Sequence, residues 1–124
     1  MKNDNNCSAR DLMEVKDALH VLSGYWKLQI LIVLFRGPKR FKEIANELEV
    51  SDKVLSKELK DLEENLLVSR AVYETFPPKV EYTVTEHTRS LDGVLNELKR
   101  WGKLHRSVVM TKDANNHSAT QIDG

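Results

Sequence analysis

Lys53, Ser56, Lys57 and Lys60 recur at intervals of three and four residues, so on a helix they would lie along one face. Lysines at that spacing can neutralise phosphates, and a lysine and a serine near a helix start can reach base edges in a major groove. An ordinary solvated helix face has the same pattern, so the neighbouring segments must decide between the two. Ser51, just ahead, can cap the helix and touch a phosphate, and Arg40 stands before another helix whose first amides are free. Lys79 follows Phe76-Pro77-Pro78, a short stiff turn that suits a backbone or minor-groove contact.

The residue types for catalysis are not brought together. His20, His87, His105 and His117 are far apart, with no two at a spacing of three or four, and the carboxylates follow the exposed sides of helices. Cys7 is the single cysteine, which excludes an internal disulfide and a thiolate zinc site. No enzyme activity, cofactor or metal is expected.

Charge gives a mixed signal. The formal net charge is +0, whereas nucleic-acid binders are expected to be basic. The distribution matters more than the total: if helical phase puts the acids on other faces, a neutral chain still presents a positive surface.

The elements that would carry these residues can be read from the apolar pattern. Leu12, Val15, Leu19 and Leu22 have helical spacing, and after Ser23-Gly24 an apolar-rich segment from Trp26 to Phe35 reads as a mostly buried helix, stopped by Gly37-Pro38. Phe41, Ile44, Ala45 and Leu48 mark a short helix. Val54, Leu55, Leu59 and Leu62 mark the inward face of the next, which Ser51 begins. Residues 66–75 and 79–85 are rich in β-branched and aromatic side chains and read as a β-hairpin. A last helix is expected from Thr85-Glu86. The predicted class is mainly α with a small β-hairpin: a winged helix-turn-helix with added N- and C-terminal helices.

At 124 residues the chain has room for one domain, placed at residues 11–110 between polar tails at 1–10 and 111–124. Charged residues make up 31% of the chain and no apolar run has the length of a membrane span, so no membrane partner is expected. The absence of an apolar signal core near the start points to the cytoplasm.

The terminal helix carries Leu91, Val94, Leu98, Trp101, His105 and Val108 at alternating intervals, a stripe too long for a lone surface helix. With Leu12, Val15 and Leu19 it offers an interface for a second copy of the chain; the alternative is packing on its own core.

The chain resembles the HxlR-type winged-helix regulators from about Met13 to Gly102. Carrying the resemblance are Gly24 and Trp26 followed by LQILIVL, then GPKRFKEI, VSDKVLSKELKDLE, SRAVY, PPKVEYTVT and LKRWG. It implies a bacterial-type, sequence-specific transcription regulator, a homodimer made by the terminal helices that binds double-stranded DNA at a palindromic operator, with repression the commoner mode. A small-molecule effector is compatible with it, although no residue set identifies one. The alternative is a winged-helix module that binds proteins instead of specific DNA. Several positions depart from the family pattern, among them Tyr25 in place of the usual lysine before Trp26 and a turn before Ser51 one residue shorter than typical. Met13 stands where a sensory cysteine commonly opens the first helix, Cys7 lies earlier, and Leu66 replaces a usual glycine, so Asn65 is expected to supply any left-handed turn.

Overall fold

The structure, a computed structural model, describes residues 9–123 and the side chains of 9–114. Cys7 and most of the expected N-terminal tail lie outside the described residues. Two compact units divide after Arg89.

The first unit contains α1 (Ala9–Leu22), α2 (Lys27–Phe35), α3 (Phe41–Leu48), α4 (Asp52–Glu64), β1 (Val68–Tyr73), β2 (Lys79–Val84) and α5 (Glu86–Arg89). This is the mainly helical, hairpin-bearing architecture that the sequence predicts. Its centre is α2, where Ile30, Leu31, Val33 and Leu34 are buried, joined by Ile44 and Ala45 of α3, Leu55, Leu59 and Leu62 of α4, and Val68 and Val84 of the hairpin. An apolar helix covered on several sides needs no polar face, which is why its sequence lacks an amphipathic period. No single helix among the described residues is long and apolar enough to cross a membrane, and the α1–α2 pair is bent by 76°.

Local chemistry sets the boundaries. Gly24 and Gly37 take φ +104° and +136°, conformations that side chains rarely adopt, and these end the segments before α2 and after it. Ser51 caps α4 as expected, its Oγ accepting from Val54 N–H at 3.2 Å. Val54 itself is 36% exposed, contrary to its predicted inward position. It stands about 100° round the helix from Leu55, at the margin of the apolar stripe.

The close of α4 corrects a second expectation. Leu66, not Asn65, is left-handed, with φ +65°. Leu67 N–H bonds Leu62 O at 2.9 Å and Leu66 N–H bonds Glu63 O at 3.1 Å, the paired closure of a Schellman turn. That pattern places the left-handed residue one position after Asn65, and burial of Leu62 and Leu67 fixes the register. The end of α3 is similar: Glu49 has φ +56° and Val50 N–H reaches Ala45 O at 3.1 Å.

The hairpin is antiparallel, with Val68 opposite Val84 and Tyr73 opposite Lys79. A single-residue β-bridge joins it. Lys39 exchanges backbone bonds with Tyr82 at 3.0 and 2.8 Å, which fastens the segment after Pro38 to β2.

The expected single last helix is two. Thr85 starts α5, its Oγ1 accepting from Thr88 N–H at 3.2 Å and donating to Leu66 O at 2.8 Å, while the buried Thr88 donates to Leu67 O at 2.6 Å. The second unit is α6 (Asp92–Asp123), which begins after Ser90-Leu91. It continues past the expected limit near Met110, because no proline or glycine stands between Lys103 and Asp123 to stop it. At the other end α1 starts at Ala9, two residues inside the expected tail.

Candidate nucleic-acid interface

The helices α3 and α4 are joined by Glu49, Val50 and Ser51, and four ion pairs fix their surroundings. Lys42 of α3 bonds Asp52 of α4 at 2.6 Å. Arg36, after α2, pairs with Glu47 of α3. Lys27, the first residue of α2, lies 2.5 Å from Glu58 Oε1 and 3.5 Å from Asp61 Oδ2, both on α4.

With Leu55, Leu59 and Leu62 buried, the opposite side of α4 carries Lys53, Ser56, Lys57 and Lys60, all exposed. Their spacing of i, i+3, i+4 and i+7 makes one stripe along the helix. By helical phase Asp52, Asp61 and Glu63 lie to the sides of the stripe, and Glu64 falls near its C-terminal end. A neutral chain can thus keep a locally positive face. Lys53 and Lys60 make no ion pair among the described residues, whereas Lys57 bonds Asp61 at 3.3 Å. That contact holds the half-buried Asp61 carboxyl below its ordinary pKa.

Other expected contacts have different surroundings. Arg40 precedes α3 and is exposed, but its backbone N–H is taken by Glu43 Oε1 at 2.8 Å, so a carboxylate already stands at that helix start. Ser51 uses one lone pair in capping and keeps its hydroxyl hydrogen. Lys79 is half-buried on β2, with its ammonium 5.1 Å from the Tyr73 ring centre and 3.5 Å from Glu81. The apex of the hairpin is Phe76, fully exposed.

The nine residues expected at an interface between copies are distributed over α1 and the second unit. Leu12, Val15 and Leu19 are exposed along α1, which buries none of its side chains in the single chain. On α6, Val94, Leu98, Trp101, His105 and Val108 are exposed, and Leu91 is half-buried just before it. Trp101 and His105 stack with ring centres 5.0 Å apart and planes 7° from parallel. Leu104 and Met110 extend the exposed apolar set.

Lys27 is the residue that the sequence reading missed. It is 8% exposed, at the start of an apolar helix where a lysine would ordinarily point to water. Burial alone pushes its pKa down; the Glu58 hydrogen bond and the charges of Glu58 and Asp61 outweigh this and leave it above the ordinary value. The available signal was a pair of acids three apart on a neighbouring helix, Glu58 and Asp61, beside the apolar stripe.

Comparison with known proteins supports the family and the fold. The profile of the HxlR-like helix-turn-helix family matches residues 21–110. The chain is 39% identical over 94 residues to the HTH-type transcriptional regulator YtcD of Bacillus subtilis strain 168, covering 75% of each protein. It is 40% identical over 89 residues to the HTH-type transcriptional regulator YodB of the same organism, covering 71% of this chain and 80% of YodB. Among solved structures, the redox regulator HypR in its reduced form superposes with a TM-score of 0.74 at 34% identity, covering 79% of this chain and 98% of that one. The crystal structure of YtcD gives 0.73 at 39% identity, covering 75% and 96%.

Proposed function

The chain belongs to the HxlR-like helix-turn-helix family of DNA-binding transcription regulators, and from that premise we propose that it is a homodimeric repressor that reads a palindromic operator with α4 of each protomer. The observation that carries this reading is the stripe of Lys53, Ser56, Lys57 and Lys60 on the side of α4 opposite Leu55, Leu59 and Leu62. In a helix-turn-helix the second helix enters the major groove with its N-terminal residues nearest the bases. Lys53 and Ser56 then meet base edges, while Lys57 and Lys60 meet phosphates, and Ser51 and Arg40 lie where the backbone passes. The hairpin is the wing, with Lys79 at the base of its turn. Repression is the mode that the family resemblance implies, and the cytoplasm is where such a protein meets its operator.

The homodimer reading is supported by the exposed apolar stripes. Leu12, Val15 and Leu19, with Val94, Leu98, Trp101, His105 and Val108, are more apolar surface than isolated helices keep in water. A two-fold partner would cover them and set two copies of α4 about one helical turn of DNA, roughly 34 Å, apart. HypR is described as a redox regulator; Met13 at the usual sensory position favours a different signal here, with Cys7 dispensable.

Sedimentation and selection from randomised duplexes test the proposal together. The wild type should sediment at twice the chain mass and enrich inverted repeats, and Leu98→Glu should weaken both association and DNA binding, because a carboxylate in an apolar seam is unfavourable. A monomer that still enriches inverted repeats would contradict the dimer, and enrichment of no sequence would contradict specific readout.

A further inference from the structure

One carboxylate oxygen serves two lysines of different standing. Asp61 Oδ2 is 3.5 Å from Lys27 Nζ and 3.3 Å from Lys57 Nζ. Lys27 is buried and also held by Glu58 at 2.5 Å, so it stays where it is. Lys57 is exposed on the stripe that the proposed function assigns to phosphates, and its chain is free to swing away.

We infer that Asp61 is a positioning residue that restrains Lys57 against the protein until a phosphate takes it, and that Lys27 keeps the carboxylate compensated after Lys57 has left. This rests on α4 being the DNA-facing helix. Forming the phosphate contact exchanges one anion for another around Lys57, so its contribution to binding is smaller than that of an unpaired lysine. The exchange is reversible because Asp61 does not become an uncompensated charge. Lys53, assigned to bases, makes no ion pair among the described residues. The arrangement therefore lowers affinity for all duplexes alike while leaving base reading, and with it the ratio between operator and random DNA, unchanged. It also gives a neutral chain a way to keep lysines on its DNA face without strong non-specific binding.

The test is a double-mutant cycle on a random-sequence duplex, read as affinity across a range of salt concentrations, for the wild type, Asp61→Asn, Lys57→Ala and the double variant. Asp61→Asn should tighten binding by about two- to threefold and steepen the salt dependence by up to about one unit. In the Lys57→Ala background the same change should do nothing. Because Lys27 keeps Glu58, the Asp61 variants should melt close to the wild type, and Asp61→Ser should repeat the result. Equal tightening in both backgrounds would overturn the inference, since Asp61 would then act through its charge alone; so would no tightening in a folded Asp61→Asn. Failure of the wild type to bind any duplex would overturn the DNA reading and this inference with it, whereas wild-type binding with no coupling would overturn this inference only.

Discussion

Lys27 Nζ lies 2.5 Å from Glu58 Oε1, joining the first turn of α2 to the middle of α4 at a nearly water-free boundary. The pair fixes the roll of α4 about its axis as well as its distance from the core. Turning α4 would move Glu58 off Lys27 and, with it, the stripe of Lys53, Lys57 and Lys60 on the other side. A buried charge pair that sets orientation in this way is compatible with a modest net contribution to stability.

The first prediction follows from that balance. Lys27→Met leaves the Glu58 carboxylate nearly buried and unpaired, and should destabilise the fold by about 2 to 3 kcal/mol. Adding Glu58→Leu removes the orphaned charge and should restore stability to within about 1 kcal/mol of the wild type. Chemical denaturation of the three proteins checks this. If the double variant were no more stable than Lys27→Met, the pair would not be the cause.

The same ammonium predicts a pH dependence. Lys27 is held above its ordinary pKa in the folded state, so its contribution is complete below the unfolded value and is lost as pH rises through the folded one. Tyr82, pushed up by burial and by Glu63 against the opposing effect of Arg70, loses stability in the same direction. Melting temperature should hold through neutral pH and fall above about pH 10. In a Tyr82→Phe background the fall should persist, and adding Lys27→Met with Glu58→Leu should flatten it. A fall that vanished with Tyr82→Phe alone would assign it to the phenol.

Leu66 supplies a third test. A left-handed leucine is unfavourable by roughly 1 to 2 kcal/mol, and its side chain is 71% exposed, so removing it gives up little burial. Glycine carries about 0.5 to 1 kcal/mol of chain entropy against that gain. Leu66→Gly should raise the melting temperature by a few degrees and Leu66→Val should lower it. A lower melting temperature for the glycine variant would show that the left-handed turn carries no strain.

Parts of this molecule were legible because local chemistry and the final fold agree. Pro38 stops α2, Ser51 starts α4, and Pro77-Pro78 turns the hairpin for reasons contained in a few neighbouring residues. The face of α4 was legible because Leu55, Leu59 and Leu62 fix its phase. What escaped depends on partners distant in sequence. Lys27 reads as a surface cation until α4 brings Glu58 beside it, and Lys39 reads as loop until Tyr82 takes its backbone. Leu66 escaped for another reason: the register of the closing turn, set by Leu62 and Leu67, outweighs the preference of asparagine for the left-handed region. The interruption between Arg89 and Asp92 was hidden because Glu86 to Ser90 carry no apolar side chain whose phase could reveal a break.

The central claim, that α4 reads duplex DNA through one lysine stripe, is tested most directly by salt titrations of Lys53→Ala and Lys60→Ala on the selected operator and on random duplex. Lys60→Ala should weaken binding to both duplexes by similar factors and reduce the salt slope by about one unit per contact. Lys53→Ala should lose roughly 1 to 3 kcal/mol on the operator with less effect on random DNA. Unchanged binding by both variants on both duplexes would remove α4 from the DNA interface and favour a winged helix that binds another protein.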